Sequence, residues 1–191
     1  MNRQPDSDDK PLILVTVGTD HHPFDRLVGW VDRWVKSHSD DVRCVIQYGT
    51  SYPPEQAEGT EYLAPATFQE HLATAAAVVC HGGPSTIMEV RGAGILPIVV
   101  PRDPTYGEHV DGHQVTFAAH LAKHSRIRFP QDEDELVMTL DRALTHPDEF
   151  RVTSGADPDV ANVATFSELI DGLIRTPRRS LLPRSKPKAR R

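Results

Sequence analysis

Four largely apolar stretches predict strands that a parallel sheet buries on both faces. They lie at residues 12–17, 42–47, 75–80 and 96–100, and two weaker runs at 61–63 and 126–129 predict short strands. None of the four strong runs alternates with polar residues, as a strand with one face in water would. The sequence therefore predicts a sheet at the centre of a layered fold.

Helical periodicity separates these strands. Apolar residues recur at helical spacing from about Phe24 to Ser37, where Leu27, Val31 and Trp34 are predicted core residues. Further helices are predicted at about 68–75, after the glycines at 82–83, from the 107–114 region through Leu121, and at 132–145. Strands that alternate with such helices predict an α/β fold with one doubly wound, Rossmann-like parallel sheet.

The composition of the two ends predicts the domain organisation. Residues 1–10 are polar and are interpreted as a flexible leader before a domain at 11–146. The Pro-, Gly- and Asp-rich segment 147–159 is predicted to be a linker, and helical periodicity returns at 160–174. Residues 175–191 are proline-broken and basic, and are predicted to be a disordered tail.

Charge is distributed unevenly along the chain. The net charge is −6, yet residues 175–191 carry eight basic and no acidic side chains, which leaves about −14 on residues 1–174. An acidic body argues against nucleic acid as the main partner. The basic tail could bind an anionic membrane surface, or it could be a tolerated solvated segment. No apolar run approaches the ~20 residues of a membrane span, and a cytoplasmic location is predicted.

The strand at 75–80 ends in a loop with the composition of an anion site. Gly82 and Gly83 lack a Cβ, so backbone N–H groups there can approach an anion closely. The helix that follows points its positive end at the same place, and Ser85 and Thr86 add hydroxyl donors. Glu89 lies one turn further on, where its carboxylate could accept hydrogen bonds from a sugar diol. A tight strand–helix connection is the alternative interpretation of this segment alone.

A combination of motifs carries a resemblance to a known family. The segment His81-Gly82-Gly83-Pro84-Ser85-Thr86 with Glu89, followed by 94–101 and Gln114, resembles the donor-binding signature of two-domain nucleotide-sugar glycosyltransferases, the GT-B group. It is similar to the C-terminal domain of glycosyltransferase family 28. The opening, 15–19 with Phe24-Asp25-Arg26-Leu27, is similar to the small catalytic subunits of split members. The resemblance covers roughly residues 11–145.

The resemblance implies an enzyme that is half of a GT-B architecture. Such a chain binds the donor in a UDP-sugar-dependent hexosyltransferase that is inverting, independent of metal and without a cofactor. It transfers a hexose or N-acetylhexosamine to a lipid-linked or polysaccharide acceptor, together with a membrane-anchored partner chain at the inner face of the membrane. A non-catalytic nucleotide-sugar-binding or assembly subunit is the alternative, because it would use the same site.

The resemblance also assigns the residues that bind the UDP-sugar. It implies that the loop after the first strand faces the donor's phosphates, and that the segment around Leu63 contacts the nucleobase, largely through backbone atoms. The polar pair at His113 and Gln114 would contact the sugar and diphosphate, although many family members have an acid where His113 stands. The predicted set is Gly18, Thr19, Leu63, His81, Gly82, Gly83, Ser85, Thr86, Glu89, His113 and Gln114.

The general base and a metal site are less well defined by the sequence. His21 follows the first strand and is a candidate base, since histidine as a residue type transfers protons near neutral pH. A carboxylate of the partner chain is the alternative base. His109 and His113 are four residues apart, as zinc ligands on one helix face would be. Gly112 interrupts that turn and a third ligand is not obvious, so no metal site is predicted.

Overall fold

Five parallel strands form one sheet in the computed structural model, which describes residues 10–152. The strands are β1 (Leu12–Thr16), β2 (Arg43–Gln47), β3 (Glu58–Thr60), β4 (Ala75–Cys80) and β5 (Ile98–Val99), in the order β3-β2-β1-β4-β5. Every neighbouring pair runs parallel. The predicted fold class, an α/β Rossmann-like parallel sheet, is confirmed.

Helices cover both faces of the sheet. They are α1 (Asp25–His38), α2 (Pro65–Thr74), α3 (Pro84–Gly92), α4 (His113–Lys123) and α5 (Glu133–Thr145), with short 3-10 helices at Pro104–Tyr106 and Pro147–Phe150. The buried side chains of α1 and α5 share one core cluster, and those of α2, α3 and α4 pack in two clusters with other strand residues. The sheet is therefore doubly wound. None of the described helices is long and apolar enough to cross a membrane.

The central strand β1 shows why the apolar runs are continuous. All five of its residues are buried. Ile13 and Val15 contribute to the core of α1 and α5, whereas Leu12 and Leu14 contribute to the core that contains residues of α2 and α3. Successive strand residues point to opposite faces, so a sheet with helices on both sides requires apolar side chains at every position of its inner strands.

Two of the predicted short strands differ from the structure. The third strand is Glu58–Thr60 and not 61–63, and it pairs with Val45–Gln47 at the edge of the sheet. Its residues are polar or glycine because an edge strand buries little, so the hydrophobic pattern does not reveal it. The predicted strand at 126–129 is reduced to a single bridge between Arg128 and Ile98. Pro130 follows at once and has no N–H to extend a ladder.

The predicted linker begins too early in the sequence. Residues 147–150 form a 3-10 helix, and the side chain of Phe150 is fully buried in the core with α1 and α5. The backbone carbonyl of Phe150 accepts a hydrogen bond from Leu96 N at 2.8 Å. The domain thus continues through residue 152. Most of the leader, the rest of the linker, the 160–174 helix and the 175–191 tail lie outside the described residues.

The burial of Phe150 leads to a stability prediction. Phe150→Ala should lower the free energy of unfolding by about 3–5 kcal/mol, because removal of a core aromatic ring leaves a cavity. The measurement is denaturant unfolding of the purified chain, with Met138→Ala as a control since that side chain is exposed. A Phe150→Ala variant as stable as the control would contradict the burial of Phe150 in the core and would favour the predicted linker.

Candidate functional site

A cleft of about 390 Å³ opens at the carboxyl edge of the sheet. The strand order places β1 beside β4, and the chain continues to β2 on one side and to β5 on the other. This reversal is a topological switch point, where open α/β sheets bind ligands. The lining residues are Thr16, Gly18, Thr19, Gln47, Leu63, Pro65, Phe68, His81, Gly83, Pro84, Ser85, Thr86 and Glu89.

The imidazole of His81 lies between two glycines in the wall of the cleft. A Cβ added to Gly18 would lie 2.5 Å from His81 Cε1, and a Cβ added to Gly83 would lie 2.2 Å from His81 Nε2. Gly18 also has a φ of 79°, a conformation that favours glycine. The sequence pattern predicts that the glycine at 83 permits the approach of an anion. In the structure, glycines at both positions are required by the ring of His81.

The environment of His81 keeps its ring neutral. Burial, followed by the nearby positive charge of Arg102, lowers the pKa of His81 to about 4. Within the described part of the chain, the Nδ1 atom of His81 is buried and has no hydrogen-bond partner. The backbone N–H of His81 donates to the carbonyl of Thr16 at 3.2 Å, which joins the ends of β4 and β1. At neutral pH the cleft wall therefore contains an uncharged imidazole.

The N-terminus of α3 faces the cleft. The helix begins after Gly83 with Pro84 in its first turn, and no side chain caps it. The N–H groups of Ser85 and Thr86 lie in this first turn, where they have no acceptor within the helix. Both residues line the cleft, as does Glu89 one turn further on. This end of the helix therefore offers N–H and hydroxyl donors together with one carboxylate.

A glutamine that the sequence analysis missed connects the two ends of the cleft. Gln47 Nε2 donates to Thr16 Oγ1 and to the carbonyl of Gly18, each at 3.1 Å. Its Oε1 accepts from the backbone N–H of Leu63 at 3.1 Å. The one available signal is that Thr16 and Gln47 are polar residues near the carboxyl ends of apolar runs, the edge where ligands bind. Gln47 fixes the position of Leu63 relative to Gly18.

Three predicted site residues do not line the cleft. A Cβ on Gly82 would lie 2.8 Å from Gln114 Cβ, so Gly82 permits α4 to pack against the loop. Gln114 Oε1 accepts from Arg102 N at 3.1 Å. The side chain of His113 is 51% exposed, and its Nδ1 lies 2.8 Å from Asp111 Oδ1. The roles of these three residues in binding stay predictions.

The predicted base His21 also lies outside the cleft lining. Its side chain is 84% exposed and its ring lies beside that of His22, with ring centroids 4.0 Å apart. His22 Nδ1 lies 2.6 Å from Asp20 Oδ1. Partial burial opposes ionisation of Asp20, but hydrogen bonds from His22 and the charge of Arg102 lower its pKa to about 2. The structure thus shows an ordered Asp20–His22 pair that the sequence analysis did not anticipate.

The side chain of Arg102 connects two loops beside the cleft. Its side chain is fully buried, and it donates to the carbonyls of Val17 at 2.9 Å, His22 at 2.6 Å and Glu108 at 3.2 Å. Its guanidinium carbon lies 4.9 Å from the ring centroid of Phe24. Burial lowers the pKa of Arg102 from its ordinary value. The loop after β1 and the loop before α4 are therefore held by one side chain.

Comparison with known proteins shows the family to which most of this chain is similar. The family model for the glycosyltransferase family 28 C-terminal domain matches residues 12–163. None of the curated proteins that were compared with the chain matches it.

Solved structures of low sequence identity share the fold. The glycotransferase of kitacinnamycin is 19% identical with a TM-score of 0.53, over 90% of this chain and 40% of that chain. MurG of Acinetobacter baumannii is 17% identical with a TM-score of 0.56, over 87% and 50%. UDP-GlcNAc 2-epimerase from Neisseria meningitidis is 10% identical with a TM-score of 0.52, over 87% and 44%. The chain thus spans half or less of the length of these proteins.

The low pKa of His81 predicts how stability depends on pH. The folded-state pKa of about 4 lies below the ordinary pKa of 6.5 for an exposed histidine. Between these two pH values the unfolded chain binds more protons at residue 81 than the folded chain does. The stability that the folded chain gains from a neutral His81 is therefore complete above pH 6.5 and is lost as the pH falls towards 4. The loss should be on the order of 2–3 kcal/mol.

Two measurements check this prediction. An NMR titration should place the midpoint of the His81 ring near pH 4. The stability of the wild type should also fall more steeply than that of His81→Gln between pH 6.5 and 4. Parallel stability curves, or a ring that titrates near 6.5, would contradict the buried neutral imidazole.

Proposed function

The chain belongs to the glycosyltransferase family 28 C-terminal domain family, and on this premise we propose that it is the donor-binding subunit of a UDP-sugar-dependent glycosyltransferase. It acts with a membrane-anchored partner chain to transfer a hexose or N-acetylhexosamine to a lipid-linked or polysaccharide acceptor. The observation that carries the proposal is the uncapped N-terminus of α3, which opens into the cleft at the switch point of the sheet.

The diphosphate of the donor binds at the N-terminus of α3. The free N–H groups of the first turn and the positive end of the helix dipole favour a phosphate there. The hydroxyl groups of Ser85 and Thr86 supply further donors, and Gly18 and Thr19 line the same cleft. The neutral ring of His81, which lies between Gly18 and Gly83, adds no charge of its own.

The nucleoside lies along α2 and α3. Glu89 is on the rim of the cleft, and its carboxylate accepts a hydrogen bond from Gln69 Nε2 of α2, which limits its rotation. An oriented carboxylate in this place accepts hydrogen bonds from the ribose hydroxyls. The base lies towards Leu63 and Phe68, which line the same cleft. Gln47 holds the backbone of Leu63 in position for this contact.

Transfer proceeds by direct displacement at the anomeric carbon with inversion. The acceptor oxygen forms a bond to this carbon while the bond to UDP breaks, and the acceptor proton passes to a general base. The negative charge that develops on UDP is stabilised by the α3 N–H groups and the hydroxyls, so no metal ion is required. The base is His21 of this chain or a carboxylate of the partner.

The partner chain supplies the facing wall of the cleft. Sites for small molecules lie preferentially between domains, and the exclusion of water from a reacting sugar needs both walls. The partner also holds the complex at the inner face of the membrane. The support for a separate partner is the resemblance of residues 15–27 to the small subunits of split enzymes.

The position of Glu89 predicts the effect of its removal. Glu89→Ala should weaken UDP binding by about 1.5–3 kcal/mol, the usual range for a charged hydrogen bond. Calorimetric titration of UDP measures this. Glu70→Ala is the matched control, because Glu70 is an exposed carboxylate on α2 that does not line the cleft. Equal affinities for the two folded variants would remove Glu89 from the site.

The requirement for a partner predicts that the purified chain binds UDP but does not transfer sugar. The assay offers UDP-sugars and a lipid-linked acceptor to the chain alone and to the chain co-expressed with its membrane partner. Transfer is expected only with the partner, and EDTA should not abolish it. Robust transfer by the chain alone would exclude a split enzyme. UDP binding without transfer under either condition would favour the non-catalytic subunit.

A further inference from the structure

Three histidines and an aspartate meet beside the cleft, on two loops that are distant in sequence. Asp20, His21 and His22 follow β1, and each offers a ligand atom within 4.8 Å of the others. His109, from the loop before α4, approaches from the other side, with its Nε2 3.7 Å from Asp20 Oδ2. The spacing of His109 and His113 is that of one helix face, but α4 begins only at His113 and His109 lies against Asp20. The four side chains form one cluster around this carboxylate.

We propose that this cluster binds a divalent transition-metal ion of the zinc class. Imidazole nitrogen and carboxylate oxygen are the ligands that zinc, cobalt and nickel share. Around a tetrahedral ion with bonds of about 2.0–2.1 Å, neighbouring ligand atoms lie roughly 3.3 Å apart. The distances from Asp20 to His21 Nδ1 and to His109 Nε2 are both 3.7 Å, so small side-chain rotations bring them to that spacing.

The contacts of each ring nitrogen determine which atom of His109 and of His22 can bind the ion. Metal-bound histidines usually direct their second ring nitrogen to a carboxylate or carbonyl, which fixes the ring and raises its basicity. His109 Nδ1 accepts from the backbone N–H of Asp111 at 3.4 Å and lies 3.5 Å from Asp111 Oδ1, while its Nε2 faces Asp20. An ion on Nε2 would move the ring proton to Nδ1, where Asp111 Oδ1 is the acceptor. His22 Nδ1 lies 2.6 Å from Asp20 Oδ1, so Nδ1 is the atom of His22 that can share an ion with Asp20.

Charged side chains near the cluster affect its affinity for a cation. The positive charge of Arg102 acts on Asp20 and disfavours a second cation nearby. Asp20 is ionised at neutral pH and Asp111 adds a second carboxylate within reach of His109 and His113. These two negative charges offset Arg102. Removal of either carboxylate should therefore weaken binding, even though Asp111 lies behind His109.

The ion would connect two loops that the side chain of Arg102 already connects. One loop follows Gly18 and Thr19 in the cleft wall, and the other ends at α4, which packs against Gly82. Binding would stabilise the folded chain by mass action, because the unfolded chain does not hold the four ligands together. The ion would not act in the transfer step proposed above, but an ion on His21 Nδ1 would occupy the ring that is one candidate base, so with the ion bound the base is the partner's carboxylate.

The test is metal binding by the purified chain without a histidine tag. Zn²⁺ is titrated in competition with a chromophoric chelator, and Co²⁺ is added separately to record its visible absorption. We expect one equivalent of Zn²⁺, an intense tetrahedral Co²⁺ spectrum, a rise in melting temperature with Zn²⁺, and no comparable binding of Mg²⁺. Asp111→Asn should weaken Zn²⁺ binding roughly 10–100-fold, as loss of an orienting carboxylate does.

A matched pair of double variants gives the decisive comparison. His22→Gln/His109→Gln removes two proposed ligands and should abolish stoichiometric binding while the chain stays folded. His120→Gln/His124→Gln removes another neighbouring histidine pair, with ring centroids 5.0 Å apart on and after α4, and should bind as the wild type does. Binding lost equally in both variants, absent from the wild type, or matched by Mg²⁺ would overturn the proposal.

Discussion

The loops around the cleft depend on a single buried guanidinium. Arg102 donates to the carbonyls of Val17, His22 and Glu108, which belong to segments up to 85 residues away in sequence. A planar side chain with five donors can reach several carbonyls at once, which lysine cannot do with the same geometry. Replacing it with a small residue would leave three carbonyls to find other partners, and an unpaired buried acceptor is costly. The fold therefore depends on a charge at the place where it forms its ligand site.

A second arginine explains how that charge is tolerated. Arg26 makes a paired contact with the carboxylate of Glu108 at 2.8 and 2.7 Å, and it also donates to the carbonyl of Pro101. Glu108 Oε2 accepts from Asp103 N at 2.9 Å. The negative charge of Glu108 in turn acts on Arg102 and raises its pKa against the effect of burial. Arg26, Glu108 and Arg102 therefore form one charged network, although within the described residues the buried Nε atom of Arg102 has no hydrogen-bond partner.

The sequence predicted the sheet better than it predicted the site. Buried strands such as β4 follow from continuous apolar runs, because a doubly wound sheet covers both faces of its inner strands. The edge strand β3 has no such pattern and was misplaced. The glycine loop after β4 could be placed from its motif. Gln47 and Arg102 could not, since their roles come from hydrogen bonds to residues 16 to 85 positions away. The residues that neighbour Gln47 and Arg102 in sequence do not indicate those contacts.

The glycine motif has a role in the structure that its sequence alone does not indicate. Glycines before a helix suggest room for a phosphate, yet Gly18 and Gly83 first make room for the ring of His81. That ring is neutral because it is buried and because Arg102 is close. A protonated ring would place a second positive charge beside Arg102, and a larger residue at Gly83 would displace the ring. The shape of the cleft and its charge thus depend on the same residues: the two glycines, the histidine between them and the nearby arginine.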